Sequence, residues 1–278
     1  MKRIAILLTV FNRREKTLAC LANLYHQVGV NVDYLLDVFL VDDGCTDGTS
    51  GAIKEEFPFV HVIAGSGDLY WNRGMHLAWK TAYEQYDYDY YLWLNDDTNL
   101  SDSALSIMLA LSEEKSNEAI IVGSTSAQTS DKLTYGGRAR NGSLIKPKDT
   151  FQECISFNGN VVLFPRYVFK KVGMNDPLFT HALGDFDYGL RARRLGVKSF
   201  ITAGYVGKCD AHDSLPTWCN PNKSFSIRWK AFRTPLGQNP EQFFIFERRH
   251  HGLLAALFHY FTNHLRVCVP QLWQLKNT

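Results

Sequence analysis

Short apolar runs alternate with amphipathic stretches through the first half of the chain. Residues 4–10 form an apolar run of the kind that fills a strand covered on both faces. Residues 17–27 then place Leu18, Leu21, Ala22 and Tyr25 at helical spacing. The alternation continues with strands expected at 38–41, 60–64, 90–94 and 120–123 and helices near 47–57, 74–85 and 103–112. Such a pattern predicts an α/β fold with a mostly parallel sheet flanked by helices. Ligands bind beyond the carboxyl ends of the strands in sheets of this kind. Polar clusters stand at three of those ends: Asn12-Arg13, Asp42-Asp43 and Asn95-Asp96-Asp97.

The rhythm changes after Gly123. Residues 133–135 and 156–164 read as strands joined through Gly136-Gly137 and Asn141-Gly142, residues 185–195 as a helix, and 197–206 as a return to strand. From Phe243 onward the chain is aromatic, basic and helical in pattern. No internal repeat is present.

Composition narrows the class. The 278 residues are 45% apolar, ample for a packed core, and the net charge is only +2. Residues 223–278 carry eight Lys or Arg against Glu241 and Glu247, so the tail is +6 and the remaining body −4. An acidic body argues against nucleic-acid binding, whereas the basic tail suits an anionic membrane surface. The six cysteines form no CxxC pair and no zinc spacing, which points to a reducing cytoplasm. The start of the chain lacks the apolar region of a signal peptide, and no segment reaches the roughly 18 apolar residues of a spanning helix. The expected location is cytoplasmic, with peripheral contact on the cytoplasmic face of the membrane through the tail. Its large apolar groups (Phe243, Phe244, Ile245, Phe246, Leu253, Leu254, Leu257, Phe258, Phe261) mix with Arg248-Arg249, as in interfacial helices or in a helix packed on protein.

Asp96 and Asp97 end the apolar run 90–94 abruptly. Adjacent acids repel unless a cation joins them, and Mg²⁺ or Mn²⁺ shares carboxylates with substrate phosphates; the other reading is a solvated turn. Asp42 and Asp43 hold the same position after strand two, where one accepts from a base or ribose or both belong to a polar turn. Asp185 opens a helix, as an N-cap or as a general base; Asp187 and Arg191, four apart, read as an ion pair. The run Gly65-Ser66-Gly67-Asp68-Leu69-Tyr70-Trp71-Asn72-Arg73-Gly74 joins a strand to a helix and suits phosphate, with Arg73 adding charge, although it is not a Walker A loop. Trp71 packs on a sugar or in the core. His212, in a loop after a strand, is a third metal ligand or a lone histidine.

Together these motifs resemble the family 2 glycosyltransferases with the GT-A fold. Leu8-Thr9-Val10-Phe11-Asn12-Arg13 looks like that family's opening nucleotide-binding strand and turn, and Val41-Asp42-Asp43-Gly44-Cys45-Thr46-Asp47 is similar to its second signature. Leu94-Asn95-Asp96-Asp97-Thr98 stands at the acidic DXD metal motif, with Asn95 in place of the first acid. Phe157-Asn158-Gly159-Asn160 looks like the acceptor-side strand. Gly184-Asp185-Phe186-Asp187-Tyr188-Gly189-Leu190-Arg191 is especially like the base-bearing helix of galactofuranosyl and rhamnosyl transferases. The resemblance implies a GT-A catalytic domain over 1–215, with a Rossmann-like nucleotide-sugar half at 1–124 and an acceptor half at 125–215, and a helical extension at 216–278. It implies Asp185 as catalytic base and Asp97, Asp96 and His212 as ligands of Mn²⁺ or Mg²⁺. Thr9, Phe11, Asn12, Arg13, Asp42, Asp43, Trp71, Arg73 and Asp96 would bind the nucleotide sugar.

The implied activity is inverting, non-processive transfer from a UDP- or dTDP-sugar to a hydroxyl of a glycan or lipid-linked acceptor, in bacterial cell-surface polysaccharide synthesis. Processive synthases of the superfamily carry QxxRW, and Phe225-Ser226-Ile227-Arg228-Trp229 lacks the glutamine. The rival readings are a sugar-nucleotide nucleotidyltransferase, whose basic, Gly-rich phosphate loop after strand one is missing here, and a noncatalytic nucleotide-sugar-binding protein.

Overall fold

The computed structural model describes residues 1–211 and 214–271. The first half runs β1 (Lys2–Val10), α1 (Arg14–Tyr25), β2 (Tyr34–Asp42), α2 (Thr49–Glu56), β3 (His61–Ala64), α3 (Tyr70–Gln85), β4 (Tyr90–Leu94), β5 (Asn99–Leu100), α4 (Ala104–Glu114) and β6 (Ile120–Val122). Short strands follow: β7 (Thr125–Ser126), β8 (Leu133–Tyr135), β9 (Gly137–Arg138), β10 (Gln152–Cys154), β11 (Ser156–Phe157) and β12 (Val161–Pro165). The chain continues through α5 (Arg166–Val172), α6 (Gly184–Arg194), β13 (Ser199–Ile201), β14 (Gly207–Lys208), α7 (Phe225–Phe232), α8 (Pro240–His251) and α9 (Leu253–Cys268).

Eight strands form the main sheet in the order β10-β13-β6-β12-β4-β1-β2-β3. β1 is central and pairs in parallel with β2 and β4. Its alternate side chains feed two cores, as the period of a strand dictates. Ile4, Ile6, Leu8 and Val10 face a core shared with Leu21 and Leu24 of α1, Ile53 of α2 and Leu105 and Met108 of α4. Ala5 and Leu7 face the other, with Met75, Ala78 and Trp79 of α3, Val168 and Phe169 of α5 and Tyr188 of α6. Trp79 is fully buried among the rings of Tyr91, Trp93, Phe164, Phe169 and Tyr188. The result is a sheet covered by helices on both faces, which explains why its central strands are apolar throughout.

Three local expectations change. The stretch 156–164 is two strands, and β12 enters the sheet antiparallel to both neighbours, β4 and β6. Between β6 and β12 the chain supplies β7 and β8 to the four-stranded β5-β14-β7-β8 sheet, β10 to the edge of the main sheet and β9 and β11 to a separate pair, and β12 then lies beside β6 in the reverse direction. The stretch 197–206 is strand only over β13, because Gly204 takes a left-handed conformation (φ 66°) and its amide donates to Lys148 O (2.9 Å). Helices α5 and α7 were not legible as separate elements. In the tail, Asn239 caps α8 by accepting from the Gln242 amide, and Gly252 (φ 93°) separates α8 from α9.

Candidate active site at the carboxyl edge of the sheet

Because β1, β2 and β4 run parallel, their carboxyl ends bring the three polar clusters to one edge. Asn12 sits at positive φ (52°), and its side chain accepts from the Thr46 amide (2.7 Å), locking the two turns together. This turn leaves Phe11 57% exposed at the rim. Thr9 lies under α3, where Gly74 permits the approach: a Cβ at Gly74 would collide with the Thr9 hydroxyl.

Asp42 accepts from the Cys45 amide (2.7 Å) and the Ser50 hydroxyl; burial pushes its carboxyl up, but these bonds hold it below the usual range. Asp43 is buried and receives three backbone amides, from Gly67 (2.8 Å), Leu69 (3.2 Å) and Tyr70 (2.8 Å). It thereby shapes the glycine-containing loop and the first turn of α3. Arg73 turns its Nε toward Pro177 O (2.9 Å).

Arg13 is the central cation of the edge. Its Nη1 reaches Asp97 Oδ2 (2.8 Å) and Asp96 Oδ1 (3.3 Å). Burial pushes the Asp96 carboxyl up, Arg13 pulls it down and Asp97 raises it again, leaving it at about 6. Thr17 donates to its other oxygen (3.4 Å). The other oxygen of Asp97 lies 3.6 Å from Cys209 Sγ. A cavity of about 420 Å³ opens beside Asp97, lined also by Lys16, Gln128 and Asp210. A larger hollow, about 700 Å³, is lined by His76, Asp176, Arg191 and Arg249 and does not include the acid pair.

A continuous set of contacts links this pair to Asp185. Asn95 accepts from Trp71 Nε1 (2.7 Å), and its amide donates to Asn160 O (2.9 Å). Trp71 meets Trp93 edge to face, with centroids 5.4 Å apart. Gly159 lies so close to the Trp71 ring that a Cβ there would overlap it. The Gly159 amide donates to Asp185 Oδ2 (3.0 Å) and the Phe186 amide to Oδ1 (2.9 Å). Burial pushes Asp185 up to about 6, against the downward pull of those amides and of the Arg138 charge. Leu183, at positive φ (73°), turns the chain into α6 immediately before it.

Sequence reasoning passed over Arg138, Asn72 and Asn175. Arg138 donates to Asn158 Oδ1 (3.2 Å) and stands over the Phe186 ring (5.7 Å). Burial lowers its own pKa while Asp185 raises it, so it supplies positive charge beside that carboxylate. Its signal was its place directly after Gly136-Gly137. Asn72 is fully buried; it donates to Asp176 O (2.8 Å) and Phe179 O (2.6 Å) and accepts from Asn175 (2.7 Å), pinning the segment before α6 to α3.

Among the described residues no group of three or more His, Cys, Asp or Glu is placed to hold a metal ion, and His212 lies outside the described residues. All six cysteines are free.

Solved structures share this architecture. A crystal structure of S. aureus TarS 1–349 superposes with a TM-score of 0.53 at 13% identity, covering 90% of this chain and 73% of that one. The same TarS fragment in complex with UDP gives 0.53 at 12% identity, with coverage of 90% and 73%. At these identities the likeness concerns the fold alone. No curated protein matches the chain in sequence. The model of Glycosyl transferase family 2 matches residues 5–173, which spans β1 through α5 and takes in every polar cluster of the edge except the Asp185 helix. With that match over more than half its length, and with a helix-flanked GT-A sheet beneath it, the chain belongs to glycosyl transferase family 2.

Proposed function

We propose that this glycosyltransferase is inverting and metal-assisted and moves one sugar per encounter from a UDP- or dTDP-sugar to a hydroxyl of a glycan or lipid-linked acceptor. The setting we propose is bacterial cell-surface polysaccharide synthesis. The observation that carries the reading is the continuous link from the Asp96–Asp97 pair through Asn95, Trp71 and Gly159 to Asp185. That connection supports reading the acid pair as the phosphate-side centre and Asp185 as the base. The structure of TarS with UDP supports a nucleotide-sugar donor.

The two carboxylates fit a hard divalent cation by the chemistry of their donors: they already share one cationic group, and substrate phosphates complete such ligand sets. In this reading Asp97 and Asp96 would hold Mn²⁺ or Mg²⁺, with His212 as a further ligand. A bound cation would neutralise charge on the departing diphosphate. The turns at Thr9–Asn12 and Asp42–Asp43 shape the nucleotide cleft, and Trp71 offers a ring face to the sugar. Arg73 adds positive charge at the start of α3. Asp185 takes the acceptor hydroxyl's proton as that oxygen attacks the anomeric carbon, and Arg138 stabilises the carboxylate that does so. Single displacement inverts the anomeric configuration.

The test is nucleotide release from a panel of UDP-, dTDP- and GDP-sugars with Mn²⁺, Mg²⁺ or EDTA. Slow liberation of one nucleoside diphosphate, abolished by EDTA, is the expected result. Release that survives EDTA removes the metal from the reading. Release from GDP-sugars alone removes the uridine or thymidine donor.

Arg13 gives a separate expectation, since it occupies the oxygens a cation would use. Arg13→Ala should tighten Mn²⁺ binding by about tenfold before nucleotide is added, because the guanidinium that bridges both acids no longer competes. Free Mn²⁺ followed by electron paramagnetic resonance at pH 8 reads this directly. Unchanged affinity would mean that Asp96 and Asp97 are not the binding groups.

A further inference from the structure

Helix α9 presents its apolar residues to solvent. Its inward face is Ala256, Asn263 and Val267, all buried. The opposite face carries Leu254 (84% exposed), Leu257, Phe258 (64%), Phe261 (68%) and Leu265, at the three- and four-residue spacing that aligns one side of a helix. An ordinary surface helix puts charge there. Arg266 is the only Asp, Glu, Lys or Arg in this 16-residue helix. Gly252, by breaking the chain between α8 and α9, sets that face apart from the core.

The surroundings of the stripe are basic. Arg248 and His251 are exposed at the α8–α9 turn, beside Leu253 and Leu254. At the other end Arg228 ties the start of α7 to the end of α9, donating to Lys223 O and to Val267 O (2.9 Å). That tie brings up exposed Phe225 and Ile227, with Lys223 and Lys230 also exposed. No described helix is long and apolar enough to cross a membrane.

We infer that the solvent face of α9 is a docking surface for an anionic lipid bilayer, with the helix lying in the interface plane. Charge selects this occupant: two copies of a +6 segment repel each other, while an anionic leaflet attracts it. The apolar stripe inserts between headgroups and the flanking Lys and Arg meet lipid phosphates. The catalytic domain is thereby held at a membrane surface, which extends the proposal of a lipid-linked acceptor by naming the face that would bring the enzyme to it.

Flotation with vesicles tests this without turnover, so a negative result leaves the transferase reading intact. The full chain is expected to float with phosphatidylglycerol-containing vesicles, weakly with phosphatidylcholine alone, and less at high salt. The double variant Phe258→Glu/Phe261→Glu, at two solvent-exposed positions, should partition about 100-fold more weakly while nucleotide release is unchanged. Equal flotation of the variant and the unaltered protein overturns the proposal. So does absence of flotation with a concentration-dependent dimer that the double variant dissociates, which assigns the face to a second copy.

Discussion

Asp185→Asn is expected to lower kcat by about 10²–10⁴-fold, the range a positioned general base contributes, while donor KM changes little. The substitution keeps the shape, and its side-chain oxygen can still accept from the Gly159 amide, so the cleft should survive. It removes the basic lone pair that receives the acceptor proton. The carboxyl's pKa of about 6 gives a sign to the pH profile. The base works deprotonated, so kcat should be full above pH 7 and fall about tenfold per unit below 6. Steady-state kinetics over that range decides it. An equal loss of donor binding in Asp185→Asn would give the residue a structural rather than a catalytic part.

The half of the fold that repeats strand and helix could be read because its central strands β1 and β4 are buried on both faces and each helix on one. The edge site followed from the same logic, since parallel strands put residues 12–13, 42–43 and 95–97 at one end whatever their order in the sheet. The reversed β12 could not be read, because its direction depends on pairing with β4 and β6 across an excursion of nearly 40 residues. Arg138 and Asn72 escaped for a related reason: each acts on a partner distant in sequence. The Arg13 bridge also hid in plain sight, as Arg13 belonged to a recognised turn but its target lay more than 80 residues away. In α9 the apolar residues were visible, but which of them face solvent is decided only by packing against α7 and α8.

Asp187 joins α6 to the tail, and its removal is expected to have the largest effect on stability. The residue is fully buried in α6 and receives Arg191 Nε (2.8 Å), Arg249 Nη1 (2.7 Å) and His250 Nε2 (2.9 Å). The expected ion pair with Arg191 is present, and α8 adds two partners to it. Burial pushes the carboxyl up, but the bonds from His250, Arg191 and Arg249 outweigh that and hold it at about 2. Asp187→Ala leaves two guanidinium groups without the buried carboxylate that paired them, for which roughly 3–5 kcal/mol is the usual cost. The lower end is expected here, because Arg249 keeps Asp176 (2.8 Å) and Arg191 keeps Met174 O (2.9 Å). Linkage gives a second route to the same quantity. A carboxyl that falls from about 4 in the unfolded chain to about 2 on folding contributes about 2–3 kcal/mol above pH 4, lost as pH drops toward 2. The difference in urea midpoint between the variant and the unaltered protein should therefore shrink by about half from pH 7 to pH 3. A constant difference across that range would show that the carboxylate's charge is not what holds α8 against α6. Because Asp185 begins the same helix two residues earlier, a loosened α8 should also lower kcat at temperatures well below the unfolding midpoint, and restoring the charge with Asp187→Glu should recover little of it, since the extra methylene has no room in a fully buried site.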